Sequence, residues 1–175
     1  MRVRPYSPDD AGAIASILNH EIEYGVAHFG SEPTTGEAVH AELAALPARY
    51  PSFVAEDDSG VLGFCKSSPW KLRGAYAWSV ETSVYVRAGA HGRGVGKALY
   101  GELFAALRGL GYRTAIGGIT LPNDASVALH EAMGMRPAAR LPHMGFKHGA
   151  WHDVGYWAVD LNPSMAGAAP APFGG

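Results

Sequence analysis

Ser83-Val84-Tyr85-Val86 is followed, a few residues on, by His91-Gly92-Arg93-Gly94-Val95-Gly96-Lys97-Ala98-Leu99. The first stretch is the end of an apolar strand. In the second, Val95 begins a stripe that continues through Leu99, Leu103, Leu107 and Leu110 at helical spacing. The reading is therefore strand, glycine-rich turn, helix. Glycines at 92, 94 and 96 let the backbone turn tightly and approach a ligand, and the new helix offers unpaired N–H groups and a positive dipole end. That is a phosphate cradle, with Arg93 and Lys97 adding cationic charge. Two common phosphate loops do not fit. A P-loop needs a glycine five positions before Gly96 and a hydroxyl residue after Lys97, where this chain has His91 and Ala98. The dinucleotide fingerprint needs a small residue where Lys97 stands, and it belongs near the start of a βαβ repeat rather than past the middle of a chain.

Working outward, the 175 residues suit one domain with a full core. A hydrophobic share of 47% with a net charge of −2 indicates a soluble globular protein and argues against a general nucleic-acid binder. Met1 to Tyr6 lacks the apolar run of a signal peptide, and no stretch is long enough to span a bilayer, so a cytoplasmic protein without membrane contact is expected. The single cysteine, Cys65, lies in an apolar run and reads as a buried small hydrophobe.

Residues 1 to 5 predict a short strand, and Ser7-Pro8-Asp9-Asp10 a helix start that leads into the stripe Ile14, Ile17, Leu18 and Ile22. Val39, Leu43 and Leu46 suggest a second helix. Phe53 to Glu56 and Val61 to Ser67 flank the hairpin turn Asp57-Asp58-Ser59-Gly60. A long strand is expected from about Tyr76 to Val86, then the glycine turn and its helix, a strand from Thr114 to Ile119, and a helix from Asn123 to Met133 ended by Gly134. Met144 to His148 and Val154 to Asp160 are the last two strands expected. This order predicts an α/β (α+β) protein, a mixed sheet flanked by helices. Residues 1 to 162 form its single domain, and 163 to 175, rich in Ala, Pro and Gly, are expected to be a disordered tail.

The glycine turn resembles the pyrophosphate-binding motif of the GCN5-related N-acetyltransferases, with His91 where that motif usually has Gln or Arg. Leu121-Pro122-Asn123-Asp124-Ala125-Ser126 and Leu129-His130-Glu131-Ala132-Met133-Gly134 are similar to the segment that places an Asn beside the cofactor and a Tyr near the departing thiolate; His130 stands at the Tyr position. Asn19-His20, Phe29 with Glu32-Pro33, Pro69 to Tyr76, Glu81, and above all Gly145-Phe146-Lys147-His148-Gly149-Ala150-Trp151-His152-Asp153-Val154-Gly155 resemble the phosphinothricin and methionine sulfoximine N-acetyltransferases over roughly residues 1 to 161.

The resemblance implies a mostly antiparallel central sheet, acetyl-CoA as cosubstrate, no metal, an amino-acid-like small molecule as acceptor, and a homodimer with Lys147 to Trp151 near a shared pocket. It implies that Glu81 and His130 are catalytic. A carboxylate can take the proton that keeps an amine from attacking a thioester, and a histidine titrates near neutrality. His130 is open to two roles, acid toward the CoA thiolate or base in a relay with Glu81. Cofactor contacts are expected from Val84, Tyr85, Val86, His91, Gly92, Arg93, Gly94, Val95, Gly96, Lys97, Asn123 and Ser126. Acceptor contacts are expected from Phe29, Lys71, Arg73, Lys147 and Trp151. Gly30 and Ala77 depart from the family's usual Arg and Asp. His148 and His152, four apart on strand-like flanks, make a poor metal pair. Two rival functions share the cradle: acetylation of another amine, such as a peptide N-terminus or polyamine, and a non-catalytic acyl-CoA-binding module.

Overall fold

The computed structural model describes residues 1–165. Eleven elements alternate along the chain: β1 (Arg2–Pro5), α1 (Ala11–Tyr24), α2 (Gly36–Ala44), β2 (Ser52–Asp57), β3 (Gly60–Pro69), β4 (Ser79–Val86), α3 (Val95–Gly109), β5 (Thr114–Leu121), α4 (Asp124–Ala132), β6 (Arg136–Lys147) and β7 (Ala150–Asp160). The strands form one seven-stranded sheet in the order β1-β2-β3-β4-β5-β7-β6. Every neighbouring pair is antiparallel except β4 and β5, which α3 joins as a parallel crossover.

The start of α1 follows its sequence signals closely. Ser7 closes a capping box with Asp10 around the turn Pro8–Asp10, and Asp10 takes both guanidinium nitrogens of Arg4 at 2.7 Å. Ile14, Ile17 and Leu18 then pack with Val54 and Phe64 on one face of the sheet, while the α3 stripe of Val95, Leu99, Leu103 and Leu107 packs with Leu62, Val80 and Ala115 on the other. Cys65 is buried, as expected, and burial pushes its thiol up to about 12.

Three boundaries differ from the sequence reading. The long strand begins at Ser79, because Gly74–Tyr76 closes a 3-10 turn in which the Tyr76 N–H donates to the Arg73 carbonyl. α2 ends at Ala44, two residues before Leu46. β6 starts at Arg136 rather than Met144. It is an edge strand with little burial, so it carries no hydrophobic alternation, and Pro137 and Pro142 read as breakers although an edge tolerates a missing N–H. Its register with β7 shifts between Leu141 and Gly145, with His143 at φ 55° and its N–H held by Asp153. Pro163–Met165 form a short 3-10 turn, and the remainder of the expected tail lies outside the described residues.

Gly63 marks how tightly β3 and β4 are joined, since a Cβ there would lie 2.7 Å from the Tyr85 carbonyl oxygen. Backbone cannot swing aside as a side chain can. Gly63→Ala is expected to lower stability by about 2 kcal/mol, read as a lower urea midpoint at unchanged m value. An unchanged midpoint would show that the two strands can part at this point.

Candidate active site

The site begins where two strands separate. β4 stays paired with β3 up to Val86, but its pairing with β5 ends at Thr82↔Gly117. β5 meanwhile keeps its ladder with β7 through Leu121. Beyond the last shared pair, the backbone groups of Ser83 to Val86 on the β5 side, and those of Gly118 to Leu121 on the β4 side, have no strand partner. Backbone polar groups withdrawn from a ladder need another partner, and a ligand with amide groups can supply it.

A groove follows from this wedge to the start of α3. Its inner part is a slot of about 50 Å³ bordered by Thr82, Ser83, Gly118, Thr120 and His130. It continues as a cleft of about 280 Å³ along Val84, Tyr85, Val86, His91, Asn123 and Ser126. The outer part, about 200 Å³, runs over His91, Gly92, Gly94, Val95, Gly96 and Lys97. The structure thus brings the expected cofactor residues along one path. Gly94 caps α3 at φ 79°, which aims the first helical N–H groups at the groove. Gly96 serves packing instead, because a Cβ would meet a Leu129 methyl at 2.7 Å and push α4 away. Arg93 lies at the rim but gives one nitrogen to Asp57 on the β2–β3 hairpin at 2.7 Å. Asn123 caps α4 by accepting from the Ser126 N–H through Oδ1, leaving its amide nitrogen to donate.

His130 is 3% exposed, and its ring stands where Gly117 has no side chain; a Cβ there would lie 2.5 Å from Nε2. Nδ1 lies 2.7 Å from the Ser126 carbonyl, which can only accept, so Nδ1 carries the proton. Nε2 then accepts from the Tyr100 hydroxyl at 3.1 Å. Burial lowers the pKa of this histidine and outweighs the Ser126 carbonyl, which favours the charged form, so the ring is held neutral.

Glu81 lies on the opposite face of the sheet. It shares that face with Ser83 and Tyr85 and projects toward Gly118, where a Cβ would come within 3.9 Å of its carboxylate. Half burial raises its pKa, while Lys71 and then Lys66 pull it back toward the ionised form. Trp70 packs edge-on against Tyr156 at 5.4 Å, and the Lys71 ammonium sits 4.9 Å from the Trp70 ring centre. Arg73 is exposed at the start of the following 3-10 turn. Glu81 and His130 thus approach the wedge from opposite faces of the sheet. His130 lines the slot, and Glu81 approaches Gly118, another of its lining residues, from the opposite face.

The remaining acceptor candidates divide. Phe29 lies over Gly145, where a Cβ would strike its ring at 2.4 Å, and so walls the same face as Glu81. Lys147 serves a different purpose from the one expected of it. Its ammonium donates to the carbonyls of Glu21 and His28 at 2.8 and 2.7 Å, binding the β6–β7 turn to the end of α1. Trp151 is 61% exposed and pairs with Phe146 on the other face of the hairpin, away from Phe29. Nε2 of His148 meets the Gly25 carbonyl, and Nε2 of His152 meets the Lys147 carbonyl. A side chain at Gly30 would require the His28 ring to move, since a Cβ would lie 2.8 Å from it.

Sequence reasoning missed Tyr100, Tyr156, His28 and Lys66. Tyr100 follows the α3 leucines as though it were one more core residue. Lys66 did carry a signal, being the only charged side chain in β3.

Known proteins match this arrangement. The model of the acetyltransferase (GNAT) family matches residues 15–135. The phosphinothricin N-acetyltransferase of Streptomyces viridochromogenes is 41% identical over 161 residues, spanning 92% of this chain and 88% of the relative. The L-methionine sulfoximine/L-methionine sulfone acetyltransferase of Salmonella typhimurium is 29% identical over 170 residues, 95% and 98% of the two chains. The crystal structure of a GNAT superfamily phosphinothricin acetyltransferase from Sinorhizobium meliloti in complex with AcCoA superposes with a TM-score of 0.91 at 31% identity, covering 97% of this chain and 92% of that one. The parted strands, the glycine cradle and these matches lead to one conclusion: the chain belongs to the GNAT acetyltransferase family and is an acetyl-CoA-dependent N-acetyltransferase.

Proposed function

We propose that the acceptor is the α-amino group of a small amino-acid analogue of the phosphinothricin, methionine sulfoximine or methionine sulfone kind. One observation carries the reading: a desolvated carboxylate, Glu81, stands beside the cationic Lys71 on the sheet face that opens into the strand wedge. The names of the relatives point to the same acceptor class.

The bound cosubstrate supplies an acetyl thioester. Glu81 takes a proton from the acceptor's ammonium, directly or through water, so that a neutral amine can attack. Lys71 and Arg73 are the cations available to an acceptor carboxylate. The N–H groups of Ser83 to Val86 that face the wedge are the donors available to an oxygen gaining charge. His130 and the Tyr100 hydroxyl it holds line the slot on the other side, where the departing sulfur needs a proton. Transfer is direct within a ternary complex, because the buried Cys65 thiol, pushed up to about 12, supplies no thiolate at neutral pH. We further propose that the protein is a cytoplasmic homodimer. The described chain has no helix long and apolar enough to cross a membrane. Leu141, Met144, Phe146 and Trp151 on the β6–β7 hairpin offer an exposed apolar surface for a second copy.

Thiol release from acetyl-CoA with the three named acceptors, beside a panel of peptides and polyamines, tests the acceptor class. Turnover is expected on the amino-acid analogues, and turnover only on peptides or polyamines would replace this reading. CoA binding without thiol release on any amine would favour the binding module. The base is tested separately. Glu81 works ionised, so kcat/KM rises with pH through its raised pKa and levels off above it. Glu81→Gln is expected to lower kcat about a hundredfold and to remove that rise, whereas His130→Ala lowers kcat and leaves the rise in place, because a neutral buried imidazole does not cause it. A Glu81→Gln enzyme with the original pH profile would overturn the assignment.

A further inference from the structure

Lys66 is the one charged residue on β3, and its side chain is only 23% exposed. It faces Ser83 across the ladder, two pairs from Ser68↔Glu81, so Lys66 and Glu81 are diagonal neighbours on the α1/α2 face. Its ammonium ends on the Glu42 carboxylate of α2, whose side chain is 57% exposed. On one side of Lys66 the face is apolar, with Phe64 stacked on Tyr85 at 5.5 Å between ring centres; on the other it becomes Ser68, Glu81 and Ser83. The positive charge reaches both walls of this compartment. It favours the ionised form of Glu81 and disfavours a proton on His28, whose Nδ1 already accepts from the Gly30 N–H.

A lysine withdrawn from water loses hydration that a single half-exposed carboxylate restores only in part. An ammonium has three donors, and an apolar side chain would fill the space beside Phe64 at less cost. Lys71 and Arg73 suffice for the carboxylate that every amino-acid acceptor carries. Lys66 stands on the sheet floor diagonal to Glu81, so an acceptor whose amine meets Glu81 has this ammonium within reach of its side chain.

We propose that Lys66, steadied by Glu42, is a specificity-determining residue that receives an acid group on the acceptor's side chain, so that the enzyme prefers acceptors with a second anion over neutral counterparts of similar size. This rests on the acceptor class proposed above. Glu42 sets the strength of the preference, since it shares the ammonium with the incoming acid. Removing the glutamate charge releases the full positive charge to the acceptor. The interaction is a charge-assisted hydrogen bond, stronger to an anionic oxygen than to the neutral oxygen of a sulfone.

Phosphinothricin, with an anionic phosphinate, and methionine sulfone, with a neutral sulfone, differ in the relevant charge. Their kcat/KM ratio is measured for the wild type, Lys66→Met, Lys66→Arg and Glu42→Gln, with the KM for acetyl-CoA as the check on folding. Lys66→Met is expected to reduce the ratio about tenfold, chiefly through KM for phosphinothricin. Lys66→Arg is expected to keep most of the preference, and Glu42→Gln to increase it. Should Lys66→Met not fold, the Glu42→Gln ratio alone decides the matter. A ratio unchanged in both Lys66→Met and Glu42→Gln overturns the role of Lys66 and leaves the acceptor class standing. Failure of the wild type to acetylate either compound overturns the acceptor class, and this inference with it.

Discussion

The parting of β4 and β5 after Thr82↔Gly117 is the constraint on which the rest of the site depends. A parallel pair that continued to Val86 would satisfy its own backbone and leave no groove. Two features accompany the separation. The glycine-rich turn carries the chain from the end of β4 into α3, and the His130 ring of α4 stands beside Gly117. The ring is fixed by Ser126 below and Tyr100 beside it, so the wedge has a polar, fully hydrogen-bonded wall. A buried imidazole in such a setting costs little only while it stays neutral. Its structural duty and its place near the reaction are therefore one arrangement.

The sheet divides the chemistry between two faces. On the α3/α4 face lie the cradle, Asn123 and the His130–Tyr100 pair; on the α1/α2 face lie Glu81, Lys66, Lys71 and the aromatic walls. The wedge opens between these two faces, so a thioester held there would be within reach of both. This separation also explains how one small domain keeps a desolvated carboxylate and a neutral histidine close to a common centre without forming an ion pair, which would raise the pKa of one and lower that of the other.

Much of this was legible in the sequence where local physics decides the outcome. The helix start at Ser7-Pro8-Asp9-Asp10, the α3 stripe and the helix from Asn123 ended by Gly134 are one-dimensional signals, and each element they mark is present. β6 was not legible beyond its end, because an edge strand needs neither alternation nor a full set of N–H donors. Glu81 and His130 were named through family likeness, yet their placement on opposite faces is a matter of strand parity and of α4 packing, and no local pattern reports it. Lys147 shows the limit most clearly. A lysine in a matching motif resembles a substrate cation, but its partners lie more than a hundred residues earlier in the chain.

Those partners give the acceptor compartment its shape. The last turn of α1 and the loop after it have carbonyls that need donors, and the Lys147 ammonium and the His148 ring reach them from the β6–β7 turn. His148 and Gly149 take positive φ angles, so the tight turn that brings both side chains to α1 comes from the hairpin itself. With the hairpin fastened there, Phe29 is pressed over Gly145 and His28 is turned back toward the Gly30 N–H. A side chain at residue 30 would have to displace the His28 ring. Lys66 on the sheet floor and Lys71 beside Trp70 are the side chains whose positive charge reaches Glu81.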